Sequence, residues 1–96
     1  MTISRPGLAL PQSDLGAGRI SLAELAVGTT AEIVSLATHA PAELLARLRH
    51  LGFRPGTRIT KLRTAPLGDP ALYRLLGYDT CLRRRESSYV EVRRDG

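Results

Sequence analysis

A chain of 96 residues with 43% hydrophobic content can bury one modest core and leaves no room for a second domain. Its formal charge of +5 comes from 14 basic residues, all but one of them arginine, set against 9 carboxylates, a balance that speaks to solubility and non-specific attraction rather than to fold. No apolar run is long enough to span a bilayer, Met1 to Pro11 is too weakly apolar for a secretory leader, and a lone cysteine excludes an intrachain disulfide, so the expected compartment is the cytoplasm.

In chain order, residues 1–19 carry scattered Gly, Pro and Ser without periodicity and read as a flexible arm, with the folded domain at 20–96. Ser21 and Glu24 have the spacing of a capping box and Ile20 and Leu25 that of a hydrophobic staple, which predicts a helix of one to two turns ended by Gly28. Thr29 to Leu36 is β-branched, with Ala31 and Ile33 on one face, and reads as the first strand. Pro41 in the first turn, Glu43 near the positive end and the face of Leu44, Leu45, Leu48 and Leu51 predict a helix. Gly52 ends it, with Phe53 placed to meet Leu48 in a Schellman closure. Pro55-Gly56 then supplies a type II turn into a strand over 57–63. Within that strand Ile59 and Leu62 fall on opposite faces and Lys61 on the inward parity, which calls for a bulge or a snorkelling lysine.

After a loop at Pro66, Leu67, Gly68, Asp69 and Pro70 come predicted strands at 71–76, 80–85 and 88–93, with a turn at Gly77-Tyr78-Asp79. Short strands this closely spaced suggest a barrel. Neither a phosphate loop nor a nucleophile–base spacing is present, and nothing nominates a catalytic residue. His39 and His50 flank the helix about 16 Å apart, so they cannot share one ion within a subunit. Cys81, inside a strand, reads as a small buried thiol. No metal and no cofactor are expected.

The ordered pieces over Ile20 to Arg94 resemble the ferrous iron transport protein A (FeoA) family: Leu22, Leu25 and Gly28; Ala31 and Ile33; Arg47-Leu48 and Leu51-Gly52-Phe53 with Pro55-Gly56; Ala65 to Pro70; Gly77-Tyr78, Leu82-Arg83 and Glu86. Cys81 and Ser87 stand where small Ser or Ala residues are commoner, and Lys61 where an apolar residue is. The resemblance implies a mainly β fold, an SH3-like β-barrel of about five strands with a short N-terminal helix and one helix inserted after the first strand. It further implies a cytosolic, non-enzymatic accessory protein beside a ferrous iron permease with its own GTP-binding domain (FeoB). The same barrel looks like the C-terminal domain of iron-dependent repressors, which leaves a stand-alone regulatory module, binding nucleic acid or another protein, as the alternative.

Partner contacts are expected from outward-facing residues. If Ala71, Tyr73 and Leu75 point inward, Leu72, Arg74 and Leu76 form an outer strip, with Tyr78, Arg83 and Arg84 as its rim and Leu67 exposed in the loop. The same leucines would serve self-association. Nucleic acid is not the expected partner, since basic residues are scattered and aromatics few, and a proline-peptide groove lacks its aromatic lining.

Overall fold

Two local signals fix the middle of the molecule, and both are realised. In the computed structural model, which describes residues 18–94, the helix α1 (Ala42–His50) closes on Gly52 at φ +100°. The Gly52 N–H donates to the Arg49 carbonyl at 3.0 Å and the Phe53 N–H to the Leu48 carbonyl at 2.9 Å, the paired bonds of a Schellman ending, with Leu48 and Phe53 both fully buried. The Pro55-Gly56 turn follows, with Gly56 at φ +94° and the Thr57 N–H bonded to the Arg54 carbonyl at 3.0 Å. Gly56 also donates to the Ile33 carbonyl and Ile33 to the Thr57 carbonyl, both at 2.8 Å, so the turn is stitched to the neighbouring strand.

Six strands form one antiparallel sheet: β1 (Arg19–Ser21), β2 (Thr30–Leu36), β3 (Arg58–Thr64), β4 (Ala71–Leu75), β5 (Tyr78–Leu82) and β6 (Val90–Arg94), in the order β1-β6-β2-β3-β4-β5. Inward side chains from across this order, Ile33, Ile59, Tyr73, Leu82 and Val92, share one core with Leu22 and Phe53. A sheet whose strands all reach one core must curl. Among the described residues no ladder joins β1 to β5, so the barrel stays open. The gap is crossed by the short helix α2 (Arg84–Ser87), which packs on a 3₁₀ turn at Leu22–Glu24.

The mainly β class with a helix after the first long strand agrees with expectation, while several details differ. Ser21 is extended and makes no capping bond, because residues 19–21 pair with β6, Ile20 opposite Val92; the expected N-terminal helix shrinks to the single 3₁₀ turn. Arg19, the last residue of the arm expected over 1–19, therefore belongs to the sheet, and residues 1–17 lie outside the described residues. The strand expected over 80–85 stops at Leu82. Arg84 to Ser87 turns helical instead, since the Glu86 carboxylate accepts the Arg83 N–H at 2.9 Å and Asp69 Oδ1 accepts the Arg84 N–H at 2.8 Å.

Lys61 shows how β3 resolves its conflicting parity. Ile59 and Lys61, two residues apart, both point inward by plain alternation, and the register shifts only after them, between Lys61 and Arg63, a bulge at half-buried Leu62. The lysine does not snorkel: it is 7% exposed, and among the described residues its Nζ reaches only the Ala23 carbonyl, at 3.5 Å. Burial is the main cause, and the Arg84 charge a lesser one, that holds its pKa below the usual lysine value.

Gly52 is required twice over. A Cβ built there would sit 2.4 Å from Leu76 Cδ1, and the backbone is in the left-handed region. Gly52→Ala is expected to destabilise the domain by about 1–2 kcal/mol, mostly through strain, because the leucine tip can swing away. At about 4–8 °C per kcal/mol for a domain of this size, thermal unfolding reads it directly, and an unchanged Tm would refute the Schellman assignment.

Candidate functional site

The outward residues singled out from sequence do not form one strip. The structure distributes them over three places.

At one corner, Leu76 and Gly77 make the two-residue β4–β5 turn with φ of 52° and 85°, the signs of a type I′ hairpin. Leu76 is 66% exposed, and the Tyr78 hydroxyl donates to the Leu51 carbonyl at the end of α1. Thr57 Oγ1 donates to the Gly52 carbonyl at 3.1 Å. Hairpin tip, helix end and the Pro55-Gly56 turn thus converge around a depression of about 370 Å³ lined by His50, Gly52, Arg54, Thr57, Leu76 and Tyr78. The turn was expected one residue later; the shift moves Leu76 off the strand and into the tip.

A second place is the outer face of β4 and β5. Leu72 is half-buried opposite Cys81, and both line a hollow with Arg63, Pro66 and Pro70. Cys81 is exposed, contrary to the buried thiol expected: Leu82 takes the inward position, and the two-residue period of a strand puts Cys81 outside. Arg74 is engaged by its cross-strand neighbour Asp79, Nε to Oδ1 at 2.7 Å and a second nitrogen to Oδ2 at 3.2 Å. That bond, the first cause, and the arginine charge hold the Asp79 carboxyl below the usual range. Leu67, 96% exposed, tops the β3–β4 loop, and the five residues of β4 put that loop about 15–20 Å from the Leu76 tip.

The third place is a groove of about 430 Å³ between α1 and α2, where Arg83 and Arg85 face Pro41, Leu44 and Tyr89. An Arg47–Glu86 ion pair at 2.9 Å spans it. Arg84 turns elsewhere: its backbone is held by Asp69, and its charge is felt by buried Lys61 and Tyr73. Burial is the largest influence on the Tyr73 phenol and pushes its pKa up, while a hydrogen bond with Ser87 works against it.

Nothing in these places is arranged for proton transfer or covalent attack. His39 packs edge-on to Tyr89 with ring centroids 5.4 Å apart, His50 ends α1, and Cys81 lies on β5, so the three do not meet. Among the described residues no three His, Cys, Asp or Glu side chains could hold a metal ion, and no helix is long and apolar enough to cross a membrane. Several arginines are locally neutralised, Arg47 by Glu86, Arg74 by Asp79, and Arg93 by Glu32 at 3.8 Å, which breaks up any continuous basic stripe. Sequence reasoning missed Arg54 and the helix end as surface features. No motif or spacing in the sequence marks Arg49, His50 or Arg54 as contact residues.

Residues 20–94 match the family model of the FeoA domain. A Porphyromonas gingivalis protein, an Fe(2+) transport protein A/Fe(2+) transporter FeoB fusion, is 37% identical over 71 residues, which is 74% of this chain and 8% of that one. The chain thus spans a small fraction of that curated relative. The solution structure of FeoA from Chlorobium tepidum superposes with a TM-score of 0.74 at 35% identity, covering 80% of this chain and 71% of that one. The crystal structure of Stenotrophomonas maltophilia FeoA complexed with zinc, described as a prokaryotic SH3 domain protein, gives 0.68 at 32%, covering 76% and 88%. The fold is SH3-like. A manganese-dependent transcriptional repressor in complex with manganese shares it at 14% identity and a TM-score of 0.73, over 80% of this chain and 37% of that one, a likeness of fold alone.

Proposed function

Because this chain belongs to the FeoA family of ferrous iron transport, we propose that it is a non-catalytic accessory protein that binds a FeoB-type permease at its cytoplasmic side and modulates it through protein–protein contacts. The observation that carries this reading is the P. gingivalis fusion, in which a stretch 37% identical to this chain is part of the same polypeptide as FeoB. Covalent linkage holds two modules at an effective concentration in the millimolar range for a short flexible linker, an arrangement that supports association between them.

Modulation has a thermodynamic requirement: the chain must bind two conformations of the permease with different affinity, since equal affinity shifts nothing. The test is binding of the immobilised chain to the FeoB-type permease of the same cell in lipid nanodiscs, with and without guanine nucleotide, beside duplex DNA at two salt concentrations. Saturable binding to the permease is expected, and a nucleotide-dependent affinity would identify the preferred state. No permease binding together with salt-steep DNA binding would overturn the reading in favour of a regulatory module.

A further inference from the structure

The β4–β5 tip carries a local contradiction. Both central residues of a type I′ turn need positive φ, which Asn, Asp and Gly adopt easily and leucine does not. Leu76 nevertheless adopts φ 52° and stays 66% exposed. Neither local propensity nor core burial accounts for a leucine there. Strained residues of this kind persist where the surroundings hold them, and they concentrate at functional positions. Here the surroundings are visible: Leu76 Cδ1 lies over Gly52, in the space a Cβ would fill, and Tyr78 next to the turn is tied to the Leu51 carbonyl. The side chain is propped outward from a fixed base.

Charge identifies what faces it. The depression beside Leu76 is lined by His50 and Arg54, Arg54 also lines a second depression together with Arg49, and no carboxylate lines either one. Neither Arg49 nor Arg54 has a carboxylate partner among the described residues, unlike Arg47, Arg74 and Arg93. The groove between α1 and α2, by contrast, carries its own Glu43 and Glu86.

We infer that this corner is the docking site for an acidic segment of the partner protein, with Leu76 as the apolar anchor that enters a hollow on the partner and Arg49 and Arg54 meeting the segment's carboxylates. An exposed apolar group beside Arg54, with Arg49 on the next depression, matches such a segment in both shape and charge, and the charges would set encounter rate and register more than raw affinity. The assignment rests on the permease reading above and deepens it by naming the surface used.

The experiment measures nanodisc-embedded FeoB-type permease against wild type, Leu76→Asn, Arg54→Glu, Arg49→Glu and Leu67→Ser, with Tm for each and sedimentation of the free chain. Asparagine suits the turn better than leucine, so Leu76→Asn is expected to keep or raise Tm while weakening binding about tenfold, the loss of one large buried apolar side chain. Arg54→Glu and Arg49→Glu should weaken binding and flatten its dependence on salt between about 50 and 300 mM, and Leu67→Ser should bind like wild type. Wild-type binding that survives Leu76→Asn and both charge reversals within twofold would overturn this surface and leave the permease reading intact. A wild type that fails to bind sinks the permease reading itself, and the surface assignment with it. A free chain that sediments as a dimer and becomes monomeric in Leu76→Asn would give the corner to a second copy and overturn the acidic partner.

Discussion

Phe53→Ala is expected to lose about 3–5 kcal/mol of stability, the usual range for emptying a fully buried aromatic site. Phe53 has no exposed surface and is the only phenylalanine in the chain. It also supplies the hydrophobic contact of the α1 ending, meeting Leu48 one turn back, so its removal opens a cavity and loosens the helix closure together. Small domains have a total stability of about 5–15 kcal/mol, and a fall of this size should lower Tm by 12 °C or more, or leave the domain unfolded at 37 °C. Urea unfolding at 25 °C gives the free energy. A loss below about 1.5 kcal/mol would mean that the site collapses around alanine and that Phe53 is not central to the core.

Lys61→Met should act in the opposite direction and stabilise the domain by about 1 kcal/mol at pH 7. Methionine fills nearly the same volume and removes an ammonium held away from water with a single distant acceptor. The sign follows from proton binding. The folded-state pKa of Lys61 lies below the ordinary 10.5, so well below that pKa both states are charged and folding bears the full desolvation penalty. As pH rises from the folded-state pKa towards 10.5, the folded form loses its proton first, and stability climbs. Tyr73 opposes this at the top of the range: its raised pKa keeps the folded phenol protonated where the unfolded one ionises, so its contribution falls as pH passes its ordinary 10.0. Methionine at position 61 should therefore abolish the climb while leaving the Tyr73 fall in place. Urea midpoints between pH 7 and 10.5 check it. A methionine variant less stable than wild type by more than about 1 kcal/mol would show that the ammonium is well satisfied.

The features that could be read from the sequence are those whose cause is local. The α1 face, the Gly52 closure and the Pro55-Gly56 turn each depend on residues within seven positions of one another, and all three formed as read. Ser21 illustrates the opposite case. Its spacing from Glu24 signals a cap, but β6, some seventy residues away, claims Ser21 for a ladder opposite Glu91. The helical turn at Arg84–Ser87 likewise depends on an acceptor from a distant loop, Asp69, which no local pattern announces. Among surface residues the errors came from parity and register. One position decides whether Cys81 or Leu82 faces the core, and one position moves Leu76 from strand to turn tip. The outer strip proposed from β4 alternation separated for the same reason, because the sheet curls and its outward residues face different directions.

The pairing of β6 bears on how the chain can acquire its structure as it is made. β6 lies between β1 and β2, and its Val90 and Val92 are both fully buried in the core. A nascent chain that ends before Val90 has β3, β4 and β5 available to join as a meander, but β1 has no neighbour and one side of β2 is open. Vectorial synthesis can therefore assemble β2 to β5 early, whereas β1 must wait until β6, the last strand made, has docked on β2.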